Sequence, residues 1–104
     1  MAQFDVHRNP APSKGRVPFL LDVQADLLRA LATRVVVPLV KPAEVGNRVI
    51  RQLHLEVEVE GHKLVALTSE LAAIPVKALG PRVSSLVALR TEIVRALDVL
   101  ITGV

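Results

Sequence analysis

The side chains best suited to chemistry are few and scattered. Arg34, His54 and Thr68 are of the right types for a basic and acid–base site on a phosphodiester, but their spacing matches no known catalytic motif. Glu56, Glu58 and Glu60 fall on one face of an alternating stretch, where a metal or acid–base pair would need carboxylates. The same spacing of two is what a solvated strand face produces, and that reading is preferred. His54 and His62 are too few and too scattered to form a recognisable zinc site. With no cysteine in the chain, disulfides, thiol nucleophiles and Cys-based zinc sites are excluded. There is no phosphate-binding glycine loop and no Ser-His-Asp signature. No cofactor or metal is implied, and the chain does not read as an enzyme.

The remaining candidates are apolar groups with nothing to cover them. Leu27 and Leu28 follow Asp22-Val23-Gln24-Ala25-Asp26, a polar stretch from which two adjacent leucines cannot both point inward if it is extended. The chain ends in Leu100-Ile101-Thr102-Gly103-Val104 with no polar tail. Apolar groups exposed in this way mark protein interfaces.

The elements that must position them read as follows. Gln3 to His7 alternates as a strand with Phe4 and Val6 on one face. Arg8 to Pro18, with three prolines, is an exposed loop. Phe19-Leu20-Leu21 is a short strand that Asp22 breaks. Arg34 to Leu39 is the strongest strand and reads as buried on both faces, with Pro38 at its end or on an edge. Leu53 to Leu67 is a hairpin turning at Glu60-Gly61, which sets Glu58 opposite Lys63. Ala73 to Val76 is extended. Val83 to Val104 reads as one long amphipathic helix opened by Gly80-Pro81, with apolar positions at Val83, Leu86, Val87, Ile93, Val94, Leu97, Leu100, Ile101 and Val104. Glu92 and Arg95 are spaced to pair on its exposed face. Arg90 falls inside the stripe and must pack its stem while its head reaches water or an acid. Strands first and the helix last make a mainly antiparallel α+β domain.

At 104 residues, half of them hydrophobic, residues 1–104 read as a single domain. No apolar run reaches the ~18 residues that span a membrane, and the first residues lack a secretion signal. The lack of cysteine fits a cytoplasmic location. The net charge is +3, with eight Lys/Arg and four acids in residues 1–51 against five and six in the rest. This mildly basic half reads as a solvated mixed surface. Only two aromatics are present to stack on bases.

The order of several short motifs adds more. Gln3-Phe4-x-Val6 is followed by Asp22-Val23-Gln24-x-Asp26 and two large aliphatics. Then come Arg34-x-Val36-x-Pro38-Leu39, Thr68, and Ala73-x-Pro75-Val76-x-x-Leu79-Gly80, with a closing stretch that aligns without a gap from Val83. In these features the chain resembles the CcdB toxin family over nearly its whole length. The Arg8–Pro18 loop and the 56–66 hairpin match poorly. The resemblance implies a small SH3-like barrel with a C-terminal helix, working as a homodimer. It implies a non-enzymatic toxin of a type II toxin–antitoxin system that binds the A subunit of DNA gyrase, traps it on cleaved DNA and blocks replication. It further implies a CcdA-like antitoxin that neutralises the toxin, with operator DNA bound, and the operon repressed, only through their complex. The gyrase-facing surface implied is Leu27, Leu28, Asp98, Ile101, Thr102, Gly103 and Val104. Gyrase-poisoning members carry tryptophan where this chain has Thr102, and the family has asparagine at Asp98. Two alternatives stay open: a homologue with a lost or altered target that acts in antitoxin binding and repression, and an endoribonuclease like the MazF/Kid toxins, which share the barrel.

Overall fold

The computed structural model describes residues 2–47 and 49–104. Seven strands, all paired antiparallel, form one sheet: β1 (Asp5–Arg8), β2 (Phe19–Asp22), β3 (Thr33–Val40), β4 (His54–Val59), β5 (His62–Leu67), β6 (Ala72–Pro75) and β7 (Arg82–Ser85). Their order is β4-β5-β3-β2-β1-β7, and β6 also pairs with β3. A single turn, α1 (Pro42–Val45), follows β3, and α2 (Arg90–Thr102) closes the chain. Among the described residues no helix is long and apolar enough to cross a membrane.

β3 is where the sheet forks. It pairs with β2 along one side. On the other side residues 33–36 pair with β6 and residues 39–40 with β5. The split curls the sheet into a half-barrel. Burial on both faces of β3, expected from its run of β-branched residues, is what the structure has. Pro38, however, does not end the strand, which runs on to Val40. The Val35 carbonyl accepts the Val23 N–H at 3.0 Å, so odd-numbered backbone groups serve β2 and even-numbered ones face the other side. Pro38 falls in the gap between β6 and β5, where no N–H is needed.

The 53–67 hairpin forms as its alternation requires. Glu58 stands opposite Lys63, and Glu60 and Gly61 turn at φ 53° and 79°. Val57 and Val59 point into the core with Phe4, Val6, Leu21, Leu39 and Ile93. A smaller cluster, Val17, Val40, Val45 and Val65, lies beneath α1.

The closing element differs most from expectation. Residues 82–85 are strand, not helix, and α2 begins only at Arg90, after a 3-10 turn at Val87–Leu89. β7 covers the backbone edge of β1, with Asp5 opposite Ser85 and Val6 opposite Ser84. The Arg82 Nε lies 3.0 Å from the buried Asp5 carboxylate. That edge is buried, so leaving its amides unpaired would cost more than the helical periodicity of 83, 86 and 87 could return. Pro81 therefore precedes a strand, and its carbonyl accepts the Arg8 N–H. Gly80 is demanded by close approach: a Cβ there would lie 2.5 Å from the Arg8 carbonyl oxygen. Its own carbonyl accepts a hydrogen bond from His7 Nδ1 at 2.9 Å.

Behind the apolar core lies a buried ion pair. Asp22 does not break β2 but ends it, fully buried, with its Oδ2 accepting both Nε and Nη2 of Arg34 at 2.9 and 2.6 Å. Removing one partner strands a charge where water cannot reach it. Asp22→Ala is expected to lower stability by about 3–5 kcal/mol, and Asp22→Leu with Arg34→Met to recover most of that loss. Urea denaturation of the three proteins checks both parts. A mild loss in Asp22→Ala would mean that the pair carries little.

Candidate surface at the helix tip and the 26–28 turn

Leu27 and Leu28 sit in a 3-10 turn, Asp26–Leu28, rather than an extended segment, and both are exposed, Leu27 at 92%. The turn is fixed from below. Asp22 Oδ1 accepts the Gln24 N–H. The buried Gln24 side chain then accepts the Val35 N–H and donates to the Leu28 carbonyl. Asp26 accepts the Gln3 N–H at 2.7 Å. The two leucines are held outward by a hydrogen-bonded frame, not left out by default. Leu31, half exposed, extends their apolar surface. Sequence reasoning missed it, although its spacing of three and four from the leucine pair was the signal.

The C-terminal candidates share the last turn of α2. Ile93 and Ala96 bury the helix against the sheet, with Val94 and Leu97 partly covered, whereas Ile101 and Val104 stand 73% and 88% exposed. Thr102 turns its hydroxyl back to donate to the Asp98 carbonyl at 2.7 Å, leaving its methyl outward. Gly103 adopts φ 81°, and its N–H donates to the Val99 carbonyl, which caps the helix. The tip is thus ordered up to the penultimate residue. α2 packs chiefly on β4 and on the 3-10 turns at 68–70 and 87–89. Asp98, Ile101, Thr102, Gly103 and Val104 lie together at the end of α2, and Leu27 with Leu28 lies on the 26–28 turn.

The Arg90 guanidinium lies over the Phe4 ring, 5.8 Å from the centroid, so the head meets an aromatic face rather than an acid. Glu92 and Arg95 form no ion pair with each other. The trio considered for RNA chemistry does not present itself to solvent as a set. Arg34 is fully buried against Asp22, and Thr68 is buried as well. His54 Nδ1 accepts the Ile50 N–H, so Nε2 carries the proton and donates to Ser69 Oγ.

The family model for the CcdB protein matches residues 3–103. The chain belongs to the CcdB family. That family comprises toxins of toxin–antitoxin systems, as the motif order implied. Among solved structures, an endoribonuclease in complex with its cognate antitoxin from a mycobacterial species is similar in fold. Its TM-score is 0.74 over 96% of this chain and 93% of that one, at 16% identity. Likeness at that identity speaks for the barrel and its closing helix, not for chemistry.

Because Gly103 sits at a positive φ that any Cβ strains, Gly103→Ala is expected to cost about 1 kcal/mol, concentrated in the last turn of α2. Faster amide exchange at Ile101 to Gly103, with the sheet unchanged, would show it. Unchanged exchange would mean that the cap does not hold the tip.

Proposed function

We propose that this CcdB-family chain is a toxin that works by binding and not by catalysis, with the A subunit of DNA gyrase as its target. The observation that carries the reading is the pair of ordered apolar patches. Leu27 and Leu28 stand on a braced turn, and Ile101 and Val104 stand on a capped helix end. Apolar surface held outward at an ordering cost fits a partner better than it fits solvent. The contacting set is Leu27, Leu28, Asp98, Ile101, Thr102, Gly103 and Val104. In a two-fold homodimer each patch occurs twice, and the pairs would grip a symmetric target. A CcdA-like antitoxin covers this surface and neutralises the toxin in the cytoplasm, and the complex represses its own operon.

The burial of Arg34 supports the non-enzymatic reading over the ribonuclease one, because a guanidinium bound inside the core is not free to meet phosphate. A second reading, altered target specificity on the same scaffold, draws on Thr102. Its hydroxyl is spent within the helix, so only a methyl is presented where gyrase-poisoning relatives present an indole.

Purified gyrase with supercoiled plasmid and ATP tests the target. The native chain is expected to trap cleaved DNA weakly. Thr102→Trp is expected to do so at concentrations about 30-fold lower, the equivalent of a 2 kcal/mol anchor. If neither protein traps cleaved DNA, gyrase is not the target and the altered-target reading takes its place.

A further inference from the structure

The turn at residues 2–5 holds a side chain of a type that its backbone conformation rarely carries. The Asp5 N–H closes the turn on the Ala2 carbonyl at 3.0 Å. Phe4, in the third place, has φ 72°, while Gln3 before it is not left-handed. This is a type II turn, whose third place usually goes to glycine or asparagine. A buried aromatic side chain there is an outlier.

The β1–β2 ladder does not ask for it. With Val6 opposite Leu21, a regular strand would set Asp5 opposite Asp22. Instead the Phe4 N–H donates to the Asp22 carbonyl at 2.6 Å, and the Asp5 N–H turns back to Ala2. Phe4 and Asp5 thus share one partner, which makes a β-bulge, and bulges re-aim the residues beside them. What is re-aimed is Gln3. Its backbone N–H reaches Asp26 Oδ1 at 2.7 Å, and its side-chain amide donates to the Val23 carbonyl at 3.1 Å. Three contacts hold Phe4 in place: the Asp22 carbonyl on its N–H, the Leu86 N–H on its carbonyl at 2.8 Å, and the Arg90 guanidinium over its ring.

We propose that Gln3 and Phe4 are positioning residues for the Leu27–Leu28 surface, and that the left-handed turn at Phe4 is kept because it delivers the Gln3 N–H to Asp26. The proposal rests on the partner-facing reading of those leucines. Gln24 holds the far end of the 26–28 turn at the Leu28 carbonyl, and Gln3 holds its first residue. Leu27, almost wholly exposed, has little packing to fix it. The order of this surface therefore comes from braces at both ends of the turn, and order that is absent before binding must be supplied on binding.

Hydrogen exchange and gyrase trapping on the full chain test this. Gln3→Pro suits the second place of a type II turn and removes the N–H, whereas Gln3→Ala keeps it; both lose the side-chain bond to Val23. Asp26→Ala removes the acceptor from the other side, and Asp26→Asn keeps an oxygen there. Urea denaturation confirms that the four variants fold. The Leu28, Arg29 and Leu31 amides close the turn. Their exchange is expected to be about tenfold faster in Gln3→Pro than in Gln3→Ala, and in Asp26→Ala than in Asp26→Asn, with the sheet unchanged. In the Thr102→Trp background, Gln3→Pro and Asp26→Ala are expected to need about tenfold more protein to trap cleaved DNA than their paired variants do. Equal exchange within each pair overturns the proposal, and so does trapping that stays equal although exchange is faster. Faster exchange with no trapping by any protein, Thr102→Trp included, removes gyrase as the target and leaves the positioning role standing.

Discussion

The buried pair of Asp22 and Arg34 governs more of this molecule than its size suggests. A guanidinium with no solvent contact must have a carboxylate, and Asp22 supplies one oxygen to it. The other oxygen is then free to hold the Gln24 amide. Gln24 in turn ties the Val35 N–H on β3 to the Leu28 carbonyl on the turn. One electrostatic requirement at the sheet interior thereby sets the path of the chain across residues 22–28. The outward stance of Leu27 and Leu28 is a consequence of core polarity, not an accident of a loose loop.

The same economy shows at β3. A strand with three neighbours must change partners along one side, and the change leaves a stretch where no donor is wanted. Proline suits that position, and the gap lets the two halves of the sheet curl apart. At the other end of the sheet β7 covers the β1 edge, and Gly80 lets the incoming chain approach Arg8 closely enough for the ladder to start. Once that edge is closed, only residues 90–102 are left to make a helix. α2 is therefore short, and Ile101 in its last turn stands exposed.

How far the fold could be read from the sequence follows from which forces were local. The 54–67 hairpin, β3 and the exposed extremes of the chain were legible, because alternation, β-branching and turn residues act over a few positions. The 83–89 region was not. Val83, Leu86 and Val87 are spaced as a helix would space them, and what overrides that pattern is the β1 edge some eighty residues earlier in the chain. The end of β2 at Asp22 was legible, because a lone acid after three apolar residues signals a strand end, but its burial was not, because nothing nearby reveals that Arg34 waits for it. Of the candidate residues, the exposure of Leu27, Leu28, Ile101 and Val104 was legible, but the elements that carry them were not. Adjacency on α2 joins Asp98 to Val104, while the leucine turn hangs from β2 and β3.

How this chain spends its polar side chains is itself informative. Asp22 and Gln24 brace the interior with Arg34, His7 Nδ1 holds Gly80, His54 bonds the Ile50 N–H and Ser69, and the Thr102 hydroxyl bonds within its own helix, while Arg34 Nη1 and His7 Nε2 stay buried without a partner. What stands exposed on the surface is apolar: Leu27, Leu28, Ile101 and Val104. Threonine in place of tryptophan fits the same logic at a finer scale. Where a flat anchor is absent, affinity must come from the order of the patch, and both the Gly103 cap and the Gln24 frame supply order.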